Sequence, residues 1–127
     1  PRVRRQRQMC IRDSYEVAQV ITAEATGEVM AGKIAIAQCI LQAAEDDKIS
    51  PIQVLTDYKY SKKRPEPTQE SLTAVMYVFD FGIVATKEPI KYFYNPDLVT
   101  STFHESQTFV VKIGKHEFFS EKKETKE

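Results

Sequence analysis

Glu24 and Glu28, in the stretch AEATGE, are the residues of this 127-residue chain whose setting most suggests chemistry. On a helix, positions 17, 20, 21, 24 and 28 project from one side. Glu24 therefore extends the apolar stripe of Val17, Val20 and Ile21, and Glu28 follows one turn later. An acid at such a position has two readings. It can lie near a helix end, partly solvated or paired with an arginine of the N-terminal segment. Or it can face an apolar cleft, where desolvation favours the protonated carboxyl, the state in which a general acid works. The acids Asp57, Asp80, Asp97 and Glu105 have no spacing that assigns any of them as a second catalytic group. The two histidines, His104 and His116, and the two cysteines, Cys10 and Cys39, show no metal-ligand spacing, so neither a metal nor another cofactor is expected. Cys39 lies in an apolar run and reads as core. Two cysteines do not make a disulfide scaffold, and pairing between them is left open.

The elements that must hold these residues read as helices first and strands later. A first helix opens near Asp13, with Glu16 at capping-box spacing, and stops by Gly27. Residues 29–45 are apolar almost all round (Met30, Ile34, Ile36, Ala37, Ile40, Leu41, Ala44), with a narrow polar stripe at Gln38, Gln42 and Glu45, the pattern of a helix wrapped by its domain. Ser50, Pro51 and Gln53 open a short third helix that ends near Tyr58. A basic, proline-containing loop follows. Thr68 then caps a fourth helix with Leu72, Val75, Met76 and Phe79 at helical spacing before Gly82. IKYFYNP reads as a strand with Tyr92 and Tyr94 on one face and Phe93 on the other; Phe93 is expected in the core, and Tyr94 with Asn95 at a cleft. TFVVKIGKHEFFS reads as a hairpin turning at Gly114-Lys115. The fold class is thus α+β, mainly helical, with a small antiparallel sheet near the C-terminus. Residues 1–12 form a basic arm (Arg2, Arg4, Arg5, Arg7, Arg12), 13–120 one domain and 121–127 a charged tail.

Composition narrows the function. With 18 basic and 18 acidic residues the formal net charge is zero, so no global field draws the chain to nucleic acid, and the basic arm alone reads as a solvated terminus. No stretch approaches the length of a membrane span, and no apolar core of a secretory signal follows the arginines.

Taken in order, AEATGEVMAGKIAIAQCIL, YFYNP and IGKHEFF resemble the spore-cortex-lytic and cell-wall hydrolase family of the SleB and CwlJ type, over roughly residues 14–119. The resemblance implies a compact lysozyme-like domain, 13–120 being the catalytic domain, that acts at the bacterial cell wall on the peptidoglycan glycan strand. It implies cleavage between N-acetylmuramate and N-acetylglucosamine by lytic transglycosylation. Glu24 matches the family's catalytic glutamate, and Glu28 its second glutamate, an auxiliary group. A single acid suffices for such chemistry: it protonates the glycosidic oxygen, then takes a proton from the C6 hydroxyl of N-acetylmuramate to give a 1,6-anhydro sugar. Substrate contacts are assigned to Tyr60, Tyr94, Asn95 and His116; with no tryptophan in the chain, sugar rings must stack on tyrosine or phenylalanine.

Three positions depart from the family pattern: Thr26 in place of arginine, Lys59-Tyr60-Ser61 in place of glutamine-phenylalanine-serine, and Phe103 near a common tryptophan. Subsite and peptide preferences are therefore not carried over. The alternatives are an N-acetylmuramoyl amidase, against which the missing zinc ligands weigh, and a catalytically silent peptidoglycan-binding module. A monomer is expected, and with no signal peptide in this chain its origin reads as a phage endolysin or virion component, or as a secreted protein trimmed of its leader.

Overall fold

The computed structural model describes residues 9–122; most of the basic arm and the end of the charged tail lie outside the described residues. The elements are α1 (Ile11–Glu24), α2 (Met30–Asp47), α3 (Pro51–Asp57), α4 (Gln69–Val75), a π-helical turn (Met76–Asp80), β1 (Tyr92–Tyr94), α5 (Thr102–Glu105), β2 (Thr108–Ile113) and β3 (His116–Ser120). The strands form one antiparallel sheet in the order β1-β3-β2. A mainly helical α+β domain with a small C-terminal sheet is the class expected from the sequence.

Helix α2 is the centre. Ala35, Ile36, Ala37, Cys39 and Ile40 are fully buried, and α1, α3, α4, the π turn and β1 all pack against this helix. Full burial of each such isoleucine contributes about 1.5–3 kcal/mol. Gln38, on the narrow polar stripe of this helix, is buried. Its amide nitrogen donates to the carbonyls of Thr86 (3.0 Å) and Glu88 (3.3 Å), and its oxygen accepts from the Ala85 amide (2.9 Å). A buried amide so satisfied costs little, and it ties the irregular chain of residues 85–88 to α2. Lys33 is buried for a similar reason: its ammonium meets the Glu28 carbonyl at 2.7 Å and the Glu70 carboxylate at 2.9 Å.

Helix ends follow capping chemistry. Ser50 and Thr68 accept from the amides of Gln53 and Ser71, as their side chains suit, and Pro51 occupies the first turn of α3. Helix α1 begins two residues before the expected start, because the Cys10 thiol takes the capping role and accepts from the Asp13 amide at 3.4 Å. It ends at Glu24 rather than at Gly27, whose φ of 81° serves the turn that follows. Met76, expected on the buried face of the fourth helix, is 41% exposed. The wider π turn rotates the side chains after Val75, so that Val78 takes the place of Met76 in the core beside Phe79, which is buried as expected. Both cysteines are free, Cys10 exposed and Cys39 buried. Helix α5 was not anticipated, since four residues are too few to show a period.

The β2–β3 hairpin turns at Gly114-Lys115, with Gly114 at φ 60°. A Cβ on Gly114 would stand 1.9 Å from Glu28 Oε1. The left-handed backbone favours glycine here, and any Cβ would in addition have to displace the end of the Glu28 side chain packed over it. Replacing Gly114 with Ala should lower stability by more than the left-handed penalty of about 1–2 kcal/mol. In a double-mutant cycle, Glu28→Ala should recover the steric part and leave the backbone part, read by denaturant unfolding. Additive losses would mean that the carboxylate and the turn do not meet.

Candidate active site

Glu24 is the last residue of α1, and its place is set by the chain that runs beside that helix. The loop from Lys59 to Thr68 is fastened along α1 at four points. Arg64 pairs with Glu16 at 3.0 Å, Gln19 Nε2 donates to the carbonyls of Arg64 and Pro65, the Thr68 amide donates to Thr22 Oγ1, and the Ser61 amide donates to Glu24 Oε2 at 2.7 Å. The half-buried Glu24 carboxylate therefore has one oxygen held by a backbone donor, and Oε1 has no hydrogen-bond partner among the described residues.

Glu24 lines a cleft of about 890 Å³ that separates the ends of α1 and α3 from β1 and α5. Tyr60, Tyr94, Asn95 and His116, named from the sequence, lie on the same walls. Glu28 does not line the cleft. It stands behind His116, with its carboxylate 3.8 Å from His116 Nδ1 and 3.4 Å from the Lys115 amide. The first distance is too long for a hydrogen bond. Burial holds His116 below the ordinary histidine value, while the charges of Glu28 and Glu24 act the other way. The ring is accordingly neutral at pH 7, and only 8% exposed.

Phe93 is half-buried and packs between Tyr60 (5.7 Å), His116 (5.5 Å) and Phe118 (5.6 Å), on the Glu24 side of β1. It belongs to the core as expected, yet it also forms cleft wall. Tyr60 is 8% exposed, so it shapes the wall more than it offers a stacking face; burial raises its hydroxyl well above the usual tyrosine value. Tyr94 lies against His104 at 4.8 Å and donates its hydroxyl to Glu105, a bond that pushes its pKa up to about 12. Asn95 Oδ1 accepts from the Asp97 amide at 2.9 Å, which steadies the turn and leaves the amide nitrogen without a partner among the described residues.

Tyr92, Phe103 and His104 line the cleft too, and so do Tyr58, Lys91, Leu98 and Val99, to which the sequence assigned no role in a site. Tyr92 meets Phe103 edge-on at 5.1 Å. Lys91 is 6% exposed, bonded to Glu121 at 3.1 Å, near Asp46 and Asp47 at 3.5 and 3.7 Å, and 5.9 Å from the ring centres of both Tyr58 and Tyr92. Burial pulls its pKa down, but Glu121 and the Tyr58 hydroxyl more than offset that, and the ammonium is held charged. Tyr58, raised to about 12 by burial and by donating to Asp47, completes this knot. Its partners come from four separate stretches of chain, which no local pattern could have joined. His104 sits below the usual histidine value because it is partly buried; Ser101 Oγ lies 2.6 Å from its Nδ1. Asp57 also lines the cleft, whereas Glu105 is taken up by Tyr94. Among the described residues no three His, Cys, Asp or Glu side chains converge as metal ligands, and no helix is long and apolar enough to cross a membrane.

No family model matches the chain, and no curated protein matches it. Solved structures do. The catalytic domain of the germination-specific lytic transglycosylase SleB from Bacillus anthracis superposes with a TM-score of 0.72 at 23% identity, over 88% of this chain and 97% of that one. The catalytic domain of the Bacillus cereus SleB protein gives 0.66 at 24% identity, over 85% and 89%. Along most of its length, this chain has the lysozyme-like fold of the SleB catalytic domains.

Proposed function

We propose that the chain cleaves the glycan strand of peptidoglycan between N-acetylmuramate and N-acetylglucosamine, as a lytic transglycosylase with Glu24 as its acid and base. The observation that carries this reading is a glutamate with one bonded and one unbonded carboxylate oxygen on the wall of an aromatic-lined cleft, within the fold of the SleB catalytic domains. Glu24 Oε1 donates its proton to the glycosidic oxygen as the bond from that oxygen to C1 of the muramate breaks. The same carboxylate then removes the proton of the C6 hydroxyl, whose oxygen closes on C1. No water enters, and the attacking group belongs to the sugar itself, where its effective concentration is large. The Ser61 amide keeps the carboxylate aimed through both proton transfers. Tyr94 and Asn95 line the same cleft on the opposite side from α1, where a sugar ring and its acetamido group find a face and a donor. His116, neutral and almost buried, supports the wall beside Glu24. Glu28 orders the hairpin that carries His116 rather than meeting substrate.

A second reading, hydrolysis, is favoured by one observation: Asp57 lines the cleft along with Glu24. A glycosidase uses two carboxylates roughly 5 to 9.5 Å apart to manage water. The products separate the two. Transglycosylation leaves 1,6-anhydro-N-acetylmuramate ends, about 18 mass units lighter than hydrolysed ends because a hydroxyl of the sugar replaces water.

Glu24→Gln keeps the bond from the Ser61 amide but cannot cycle a proton, so the release of soluble fragments from purified cell walls should fall at least ~100-fold with the fold intact. Normal clearing by that variant would remove Glu24 from the mechanism. Mass spectrometry of the wild-type digest should show anhydro ends as the main product, and Asp57→Asn should leave that product in place. Reducing muramate ends lost in Asp57→Asn would establish hydrolysis instead, and intact glycan with freed peptides would point to an amidase.

A further inference from the structure

The loop that fastens Glu24 is also the most basic stretch among the described residues. Lys59, Lys62, Lys63 and Arg64 fall within residues 59–68, against one acid, Glu66. Arg64 is occupied by Glu16 and by carbonyls of its own loop. The other three are different: Lys59, Lys62 and Lys63 are exposed, and their ammonium groups have no partner among the described residues. Asp57, just before them, is engaged by Gln53. Unpaired charge on a mobile loop would mean little, but this loop is held. The Lys59 amide donates to the Thr56 carbonyl at 3.2 Å, the Tyr60 amide to the Leu55 carbonyl at 3.0 Å, and the Ser61 amide to Glu24 itself. Lys59 also lines the cleft and has a φ of 59°, a left-handed position that glycine would occupy with less strain. The fold thus fixes the backbone of a cleft-lining lysine two residues from the amide that grips Glu24.

We propose that Lys59, supported by Lys62 and Lys63, recognises the carboxylates of the peptide carried on N-acetylmuramate, so that the chain selects peptide-bearing over bare glycan. This rests on the glycan-cleaving reading above. The choice among wall anions follows from position. The anion nearest a muramyl bond being cleaved is on the substituent of that same muramate, and Lys59 lines the cleft wall beside the residue assigned to the bond. A phosphate polymer esterified to the C6 hydroxyl of a muramate would remove the nucleophile that the glycan-cleaving reading needs, so a phosphate-bearing muramate is not the one placed at Glu24. Exposed lysines meet such carboxylates as point charges in water, weakly one by one and screened by salt.

The test compares three probes of equal length: labelled glycan strands with peptides, the same strands stripped of peptides by an amidase with the lactyl carboxylate so freed converted to a neutral amide, and such stripped strands carrying a phosphate polymer. Binding is read by fluorescence anisotropy on the Glu24→Gln protein, and cleavage on the wild type. Peptide-bearing strands should bind about 5- to 10-fold more tightly than stripped ones, the sum of three weak exposed contacts. That ratio should collapse toward one in the K59Q/K62Q/K63Q variant and in about 1 M salt, where the screening length shrinks to about 3 Å. It should survive in K59R/K62R/K63R, which keeps the charge. Unchanged circular dichroism and unfolding midpoint would show that the fold is not the cause. Equal binding of bare and peptide-bearing strands, a ratio untouched by the glutamine variant, or a preference for the phosphate-bearing probe would each overturn the proposal. If the wild type cleaves none of the probes while the lysine-dependent binding ratio holds, the glycan-cleaving reading fails and the peptide recognition stands.

Discussion

A helix that is apolar around most of its circumference must be covered on most sides, and α2 sets that requirement for this domain. Ala35, Ile36, Ala37, Cys39 and Ile40 show no surface to solvent, so α1, α3, α4, the π turn and β1 are each placed by the face of α2 they cover. Water is excluded from so much of α2 that its polar residues need internal partners. Gln38 and Lys33 find them, and in doing so they fix the chain around residues 85–88 and the start of α4. The cleft is what remains between the helices so arranged and the small sheet beyond them.

Position of the proposed acid follows from a second layer of constraint. The end of α1 would leave Glu24 a side chain with freedom to swing, but Glu16, Gln19, Thr22 and Glu24 each engage the following loop. The first residues of that loop, Lys59 and Tyr60, thereby form part of the cleft wall. The same bonds that orient the carboxylate also hold the backbone of the lysine-bearing loop, so the proposed acid and the proposed charge recognition share one segment. Preorganisation of this kind limits the ordering cost when substrate binds.

On the other side, the hairpin is seated by Glu28 in the space that glycine leaves at position 114. That contact seats the hairpin on which His116 packs against Phe93 and Phe118; burial lowers the pKa of the ring, and the Glu28 charge opposes that shift. Two neighbouring glutamates, one turn apart in sequence, thus do unlike work because the helix ends between them: Glu24 turns to the cleft, and Glu28, beyond the turn through Gly27, meets the hairpin.

The sequence by itself determined the helical and strand content, since local periodicity reports which face of each element is apolar, and it determined the caps at Ser50 and Thr68, the buried central helix, the hairpin turn at Gly114-Lys115 and the prominence of Glu24. All of these depend on residues a few positions apart. It could not show that α1 stops at Glu24, that a π turn exposes Met76, that Gln38 is buried, or that four residues after Ser101 form a helix. Those outcomes are set by what packs against each segment. Only the tertiary structure decided that Glu28 leaves the cleft while Asp57, Lys59 and Lys91 enter it. Lys91 with Asp46, Asp47, Tyr58 and Glu121 makes the case plainly: the charges are brought together by long-range folding, and neither their spacing nor their types in the chain carries that information.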